Sequence, residues 1–153
     1  MGATHANVTS EFVDGDLVFK TRNGTEIARF DGVNGRIKIA SAGSIRTSNY
    51  GTVTQATSIT TGVEVNKIAG AITTVSSTLG AGLETAFVVT NSTVEATDAV
   101  SVNIKSTTSA GTPVAFVSAV AAGQLTVTLS NLHASAALDA AVVITFHVHK
   151  AGA

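Results

Sequence analysis

Gln124-Leu125-Thr126-Val127-Thr128-Leu129-Ser130 alternates polar and apolar residues without a break. A strand sends successive side chains to opposite faces, so Leu125, Val127 and Leu129 share one side while Thr126, Thr128 and Ser130 share the other. The same period recurs on either side of this stretch. Val100, Val102 and Ile104 alternate with Ser101, Asn103 and Lys105, and Val142, Ile144, Phe146 and Val148 form a last apolar face within 141–149. Five further segments, 53–58, 62–66, 71–75, 84–90 and 114–120, are rich in Val, Ile, Phe and Thr and are bounded by Gly, Asn or Ala-Gly turns. Period-2 strands with turns every eight to twelve residues or so predict an antiparallel β-sandwich or jelly roll over 51–153, with Thr and Ser outward. Residues 134–141 are Ala-rich enough for a helical turn but lack the length and caps of a helix.

The charge pattern divides the chain. Residues 51–153 carry eight Asp, Glu, Lys or Arg, whereas the first fifty carry eleven. Residues 1–10 are small and polar and read as a flexible or docking arm. Residues 11–47 read as a β-hairpin ribbon. Leu17 and Phe19 alternate with Val18 and Lys20, Ile37 and Ile39 alternate with Arg36 and Lys38, and Asn23-Gly24 and Asn34-Gly35 are type I′ turn dipeptides. Such a ribbon is marginal alone in water. With no Cys to staple it, it either packs on the following domain or associates with other copies. In the second case three ribbons bury Leu17, Phe19, Ile27, Phe30, Ile37 and Ile39 between chains. Residues 41–50 read as a linker.

Composition narrows the function classes. A formal net charge of -1 gives no electrostatic case for nucleic acid. No run reaches the roughly 18 apolar residues of a membrane span, and the first six residues lack the basic and apolar regions of a signal peptide. Asp14 with Asp16, and Glu95 with Asp98, look like turn residues rather than a glycosidase pair. No Gly-x-Ser-x-Gly elbow, Walker glycine pattern or dinucleotide fingerprint is present. The expectation is a protein that is not an enzyme and needs no cofactor. Arg22, Arg29, Arg36, Lys38 and Arg46 cluster in the leader, either as the solvated face of a ribbon or as a docking face for an acidic surface. His147 and His149 lie two apart on one strand face beside Thr145. They are either two exposed imidazoles or half of a metal site, since three such pairs can give an ion six nitrogens on a three-fold axis.

Gly51-Thr52-Val53-Thr54-Gln55, Thr61-Gly62-Val63, Gly70-Ala71-Ile72-Thr73-Thr74 and Phe87-Val88-Val89-Thr90-Asn91-Ser92 with Asp98 follow one another in an order and spacing that resembles a module of tailed-bacteriophage virion proteins. Capsid decoration (cement) proteins, head fibres and tail-fibre segments carry it. The likeness covers about residues 50–148. The leader, with Gly15-Asp16-Leu17-Val18-Phe19, is similar to the β-ribbons of trimeric phage fibres, some of which bind metal through His-x-His. The resemblance implies a homotrimer on the virion surface, made in the bacterial cytoplasm and docked on the major capsid protein or another virion protein. A receptor-binding segment that recognises a host surface glycan is the alternative. The absence of Trp and the single Tyr50 count against that alternative.

Overall fold

The computed structural model describes residues 9–13, 15–21, 23–32, 36–39 and 49–151, with the backbone alone over 9–12. These residues are all-β and hold twelve strands, and the chain divides into two compact units, Met1–Arg46 and Thr47–Ala153.

The leader unit is a single antiparallel sheet of β1 (Thr9–Val13), β2 (Asp16–Lys20), β3 (Glu26–Asp31) and β4 (Arg36–Ile39), in that order. Thr9 and Ser10, expected in the arm, already belong to β1. Residues 1–8, and the Asn34-Gly35 turn, lie outside the described residues. Val13 pairs with Asp16, so the tight connection falls at Gly15, whose φ of 85° suits a residue without a Cβ. The Asn23-Gly24 connection is longer than a two-residue turn. Thr21 N–H donates to Thr25 O, and the N–H of Gly24 (φ 81°) donates to Thr21 O.

The body is a sandwich of two four-stranded sheets. One holds β5 (Tyr50–Thr54), β7 (Ala69–Thr73), β12 (Val142–His149) and β9 (Ala99–Thr107), in that spatial order. The other holds β10 (Pro113–Ala121), β11 (Gln124–Asn131), β8 (Glu84–Thr90) and β6 (Val63–Glu64). The expected inward rows are the core. Ile72, Val89, Leu125, Val127, Leu129, Val142 and Ile144 are fully or almost fully buried, and Val100, Val102 and Ile104 pack against them. Burial of one such Leu or Ile contributes about 1.5–3 kcal/mol.

Four expectations need correction. First, the sheets are mixed, because β5 pairs β7 and β6 pairs β8 in parallel. The chain changes sheet at every step from β5 to β8, so each return to a sheet runs in the same direction. Second, the strand sought at 53–58 is β5 at 50–54. It stops where the Gln55 side chain takes over, donating to Ile59 O and Thr61 O. Third, Thr128 and Ser130 point outward yet are buried, since β11 is flanked on both sides by β10 and β8. Fourth, 134–141 forms no helical turn. Leu138 instead makes a two-bond bridge to Leu79 and seals the core with 1% exposure.

Three buried amides pin the connections: Gln55, Asn91 and Asn131. Asn91 donates to Lys67 O and accepts from Thr93 N–H, while Asn131 makes five side-chain bonds to three loop segments. A buried amide is tolerated only when its donors and acceptor are satisfied.

Candidate interaction surfaces

Cross-strand pairing sorts the leader sheet into two faces. Leu17, Phe30 and Ile37 form one row and Phe19, Ala28 and Ile39 the next, all on the same side. The Phe19 and Phe30 rings meet edge to face at 6.0 Å. Ile27 is the extra residue of a bulge just beyond the second row, between the Phe19–Ala28 and Lys20–Glu26 pairs. No second layer within this sheet covers that side: Phe30 is 47% and Ile37 62% exposed. Leu17 and Phe19 are only partly buried, and among the described leader residues Val18, on the opposite face, is wholly buried.

That opposite face holds an ion-pair network. Arg29 donates to both oxygens of Glu26, at 2.9 and 2.6 Å, and to Asp16 Oδ2 at 2.8 Å. Asp16 Oδ1 accepts the Gly32 N–H. Arg29 holds the Glu26 carboxyl below the usual carboxylate range, and Glu26 and Asp16 raise the Arg29 guanidinium in turn. Arg29 is thus held within the chain by two carboxylates. Arg36 and Lys38 are exposed on the edge strand β4, where charge also discourages unwanted strand pairing. Arg22 and Arg46 lie outside the described residues. Asp16, read as a turn residue, is a nearly buried strand residue because two partners draw it in.

His147 and His149 lie on the outer face of central strand β12. Their ring centroids are 4.6 Å apart, and His149 Nε2 is 3.1 Å from Ser101 Oγ. Tyr50, Ala69, His147 and Ser101 form one registered row across this sheet. His147 Nδ1 is buried with no hydrogen-bond partner among the described residues. Among those residues no group of three or more His, Asp or Glu could hold a metal ion. One chain therefore offers two imidazoles, and a complete coordination sphere on this pair needs ligands from other molecules. His133, given no role from sequence, pins a loop: its Nδ1 accepts the Ser135 and Ala136 N–H groups.

The Glu95–Asp98 pair closes the body. Asp98 caps its loop by accepting the Glu95 N–H, accepts the Ala151 N–H, and takes Lys150 Nζ at 2.7 Å. Lys150 also reaches Glu95 at 3.0 Å. The Lys150 ammonium, helped by the Glu95 N–H, holds the Asp98 carboxyl below its ordinary range. Asp98 in turn raises Lys150. A depressed carboxyl contributes stability that is complete above its unfolded pKa and disappears only as pH falls through the lower folded value. The raised Lys150 contributes below its own unfolded value and ceases to as pH rises through the folded one. The expected result is a ¹³C titration of the Asp98 carboxyl with a midpoint below the ordinary value of about 3.9. A midpoint at or above that value would show that the Lys150 clamp is open in solution.

Comparisons of the chain with models of protein families, with curated proteins and with solved structures find no match.

Proposed function

We propose that this chain is a self-associating structural protein of a tailed-phage virion. On this reading it is a homotrimeric decoration or head-fibre protein that docks on the shell surface through its leader. The observation that carries the reading is the bare apolar face of the leader sheet. A single layer with Phe30 and Ile37 in water is unstable as an isolated element, and a second copy of the same face covers it at no cost in charge. The charge-poor body fits a mechanical role, and its order of motifs is what resembles phage modules. Trimers that bind only the assembled shell stabilise it by mass action. Among the described leader residues, Arg36 and Lys38 are exposed cations that suit an acidic partner on the capsid. The His147–His149 pair is where copies meeting on a three-fold axis could share a metal ion.

Light scattering of untagged protein tests this. The expected mass is three chains of 15.3 kDa or a multiple of three, and Phe30→Glu with Ile37→Glu removes the three-fold contact. A monomeric wild-type chain overturns the reading. Metal analysis of the same sample reads the histidine pair directly, at about one ion per three chains if it is a shared site.

A further inference from the structure

The outer face of the β10-β11-β8-β6 sheet carries no Lys or Arg, and its two carboxylates, Glu84 and Glu64, sit at its ends. Between them the registered rows are Phe116–Thr128–Ala86 and Ala119–Thr126–Val88. Phe116 is 43% and Val88 40% exposed, and Val114, Leu83 and Leu132 are also exposed on this face or at its end. In the first row the bulky side chain is on β10 and the small one on β8. In the second row this is reversed.

We propose that this face packs against the same face of a second copy, about a two-fold axis running along β11. That rotation exchanges the positions of β10 and β8 and keeps each row in place. It lays Phe116 over the partner's Ala86 and Val88 over the partner's Ala119, so each bulky side chain meets a small one. Thr126, on the central strand, meets its own copy. Face-to-face sheets pack about 10 Å apart through such interdigitation. Charge points to the same occupant: the middle of the face, between Glu84 and Glu64, has no complement for an acidic or basic partner, whereas every copy of this chain brings the same uncharged middle. An isologous contact is self-closing. It lies on the opposite side of the sandwich from His147 and His149, so it adds to the three-fold association proposed above and is independent of it. Where the two-fold crosses the three-fold at right angles, the two contacts close at six chains.

The test uses full-length variants in light scattering over a concentration series. Wild-type protein is expected at six chains. Phe116→Glu with Val88→Glu, both at exposed positions, is expected to stop at three, with an unchanged circular dichroism spectrum. Phe30→Glu with Ile37→Glu is expected to stop at two. A second readout exploits the absence of Cys: Thr126→Cys is expected to give covalent dimers with a short bis-maleimide. The inference is overturned if the Phe116/Val88 variant keeps the wild-type mass, or if the Phe30/Ile37 variant is monomeric and Thr126→Cys yields no dimer. A dimeric wild type that cross-links through Thr126→Cys would retain the inference and remove the three-fold reading.

Discussion

Asn131→Leu is expected to cost the body about 3–5 kcal/mol, a large part of the roughly 5–15 kcal/mol by which domains are stable. Leucine matches asparagine in volume, so the change leaves no cavity. What it removes is a hub. Asn131 is wholly buried; its Nδ2 donates to Leu79 O, Gly80 O and Ala136 O, and its Oδ1 accepts from Thr112 and His133 N–H. Those five backbone groups belong to loops at one end of the sandwich. Some would find water after the change, so the five losses do not simply add. Gly111 crowds the same amide: a Cβ there would meet Asn131 Oδ1 at 3.0 Å and Leu138 at 2.8 Å. Guanidinium unfolding is the measurement, with a midpoint shift at constant slope as the expected outcome. Asn131→Asp should fail nearly as badly, because a carboxylate would face three carbonyl oxygens. A midpoint within error of wild type would mean that water substitutes for the amide.

The second large effect is expected at Gly70. Gly51, Gly70 and Phe146 form one inward row across β5, β7 and β12. The Phe146 ring lies over Gly70, where a Cβ would sit 2.7 Å from a ring carbon and also press on the backbone oxygen of Gly51. Gly70→Ala therefore overpacks the core and should destabilise by about 2–3 kcal/mol. Adding Phe146→Leu relieves the ring contact but not the contact with Gly51. The double variant should recover only part of the loss, and full recovery would locate all the strain in the ring. Calorimetric Tm values of the three variants decide the matter.

These sites differ in how far the sequence discloses them. The inward rows of β9, β11 and β12 were legible because period-2 alternation follows directly from strand geometry. The parallel pairings were not, since alternation says which way a side chain points and nothing about which strand lies beside it. Asn131 looked like any residue at a strand end; its role depends on three loop segments that only the fold brings together. The opposite case is Asp16, whose neighbour Gly15 marked it as a turn residue. Arg29, thirteen residues away, is what places it in a network. The apolar leader face was readable from Leu17, Phe19, Phe30, Ile37 and Ile39, yet the buried Val18 on the other side was not. The outer-face patch needed the register of β10 against β11 and β8 before Phe116 and Ala86 could be seen to share a row.

The position of β12 has a consequence for biogenesis. It pairs with β7 on one side and β9 on the other. During translation β5, β7 and β9 leave the ribosome before the strand that joins them exists. Until residues 142–149 emerge, that sheet has two separate halves, each presenting an open edge to other nascent chains. The leader sheet, by contrast, is complete more than a hundred residues earlier. On the proposed reading, copies made on one messenger meet through their leaders while their bodies are still unfinished.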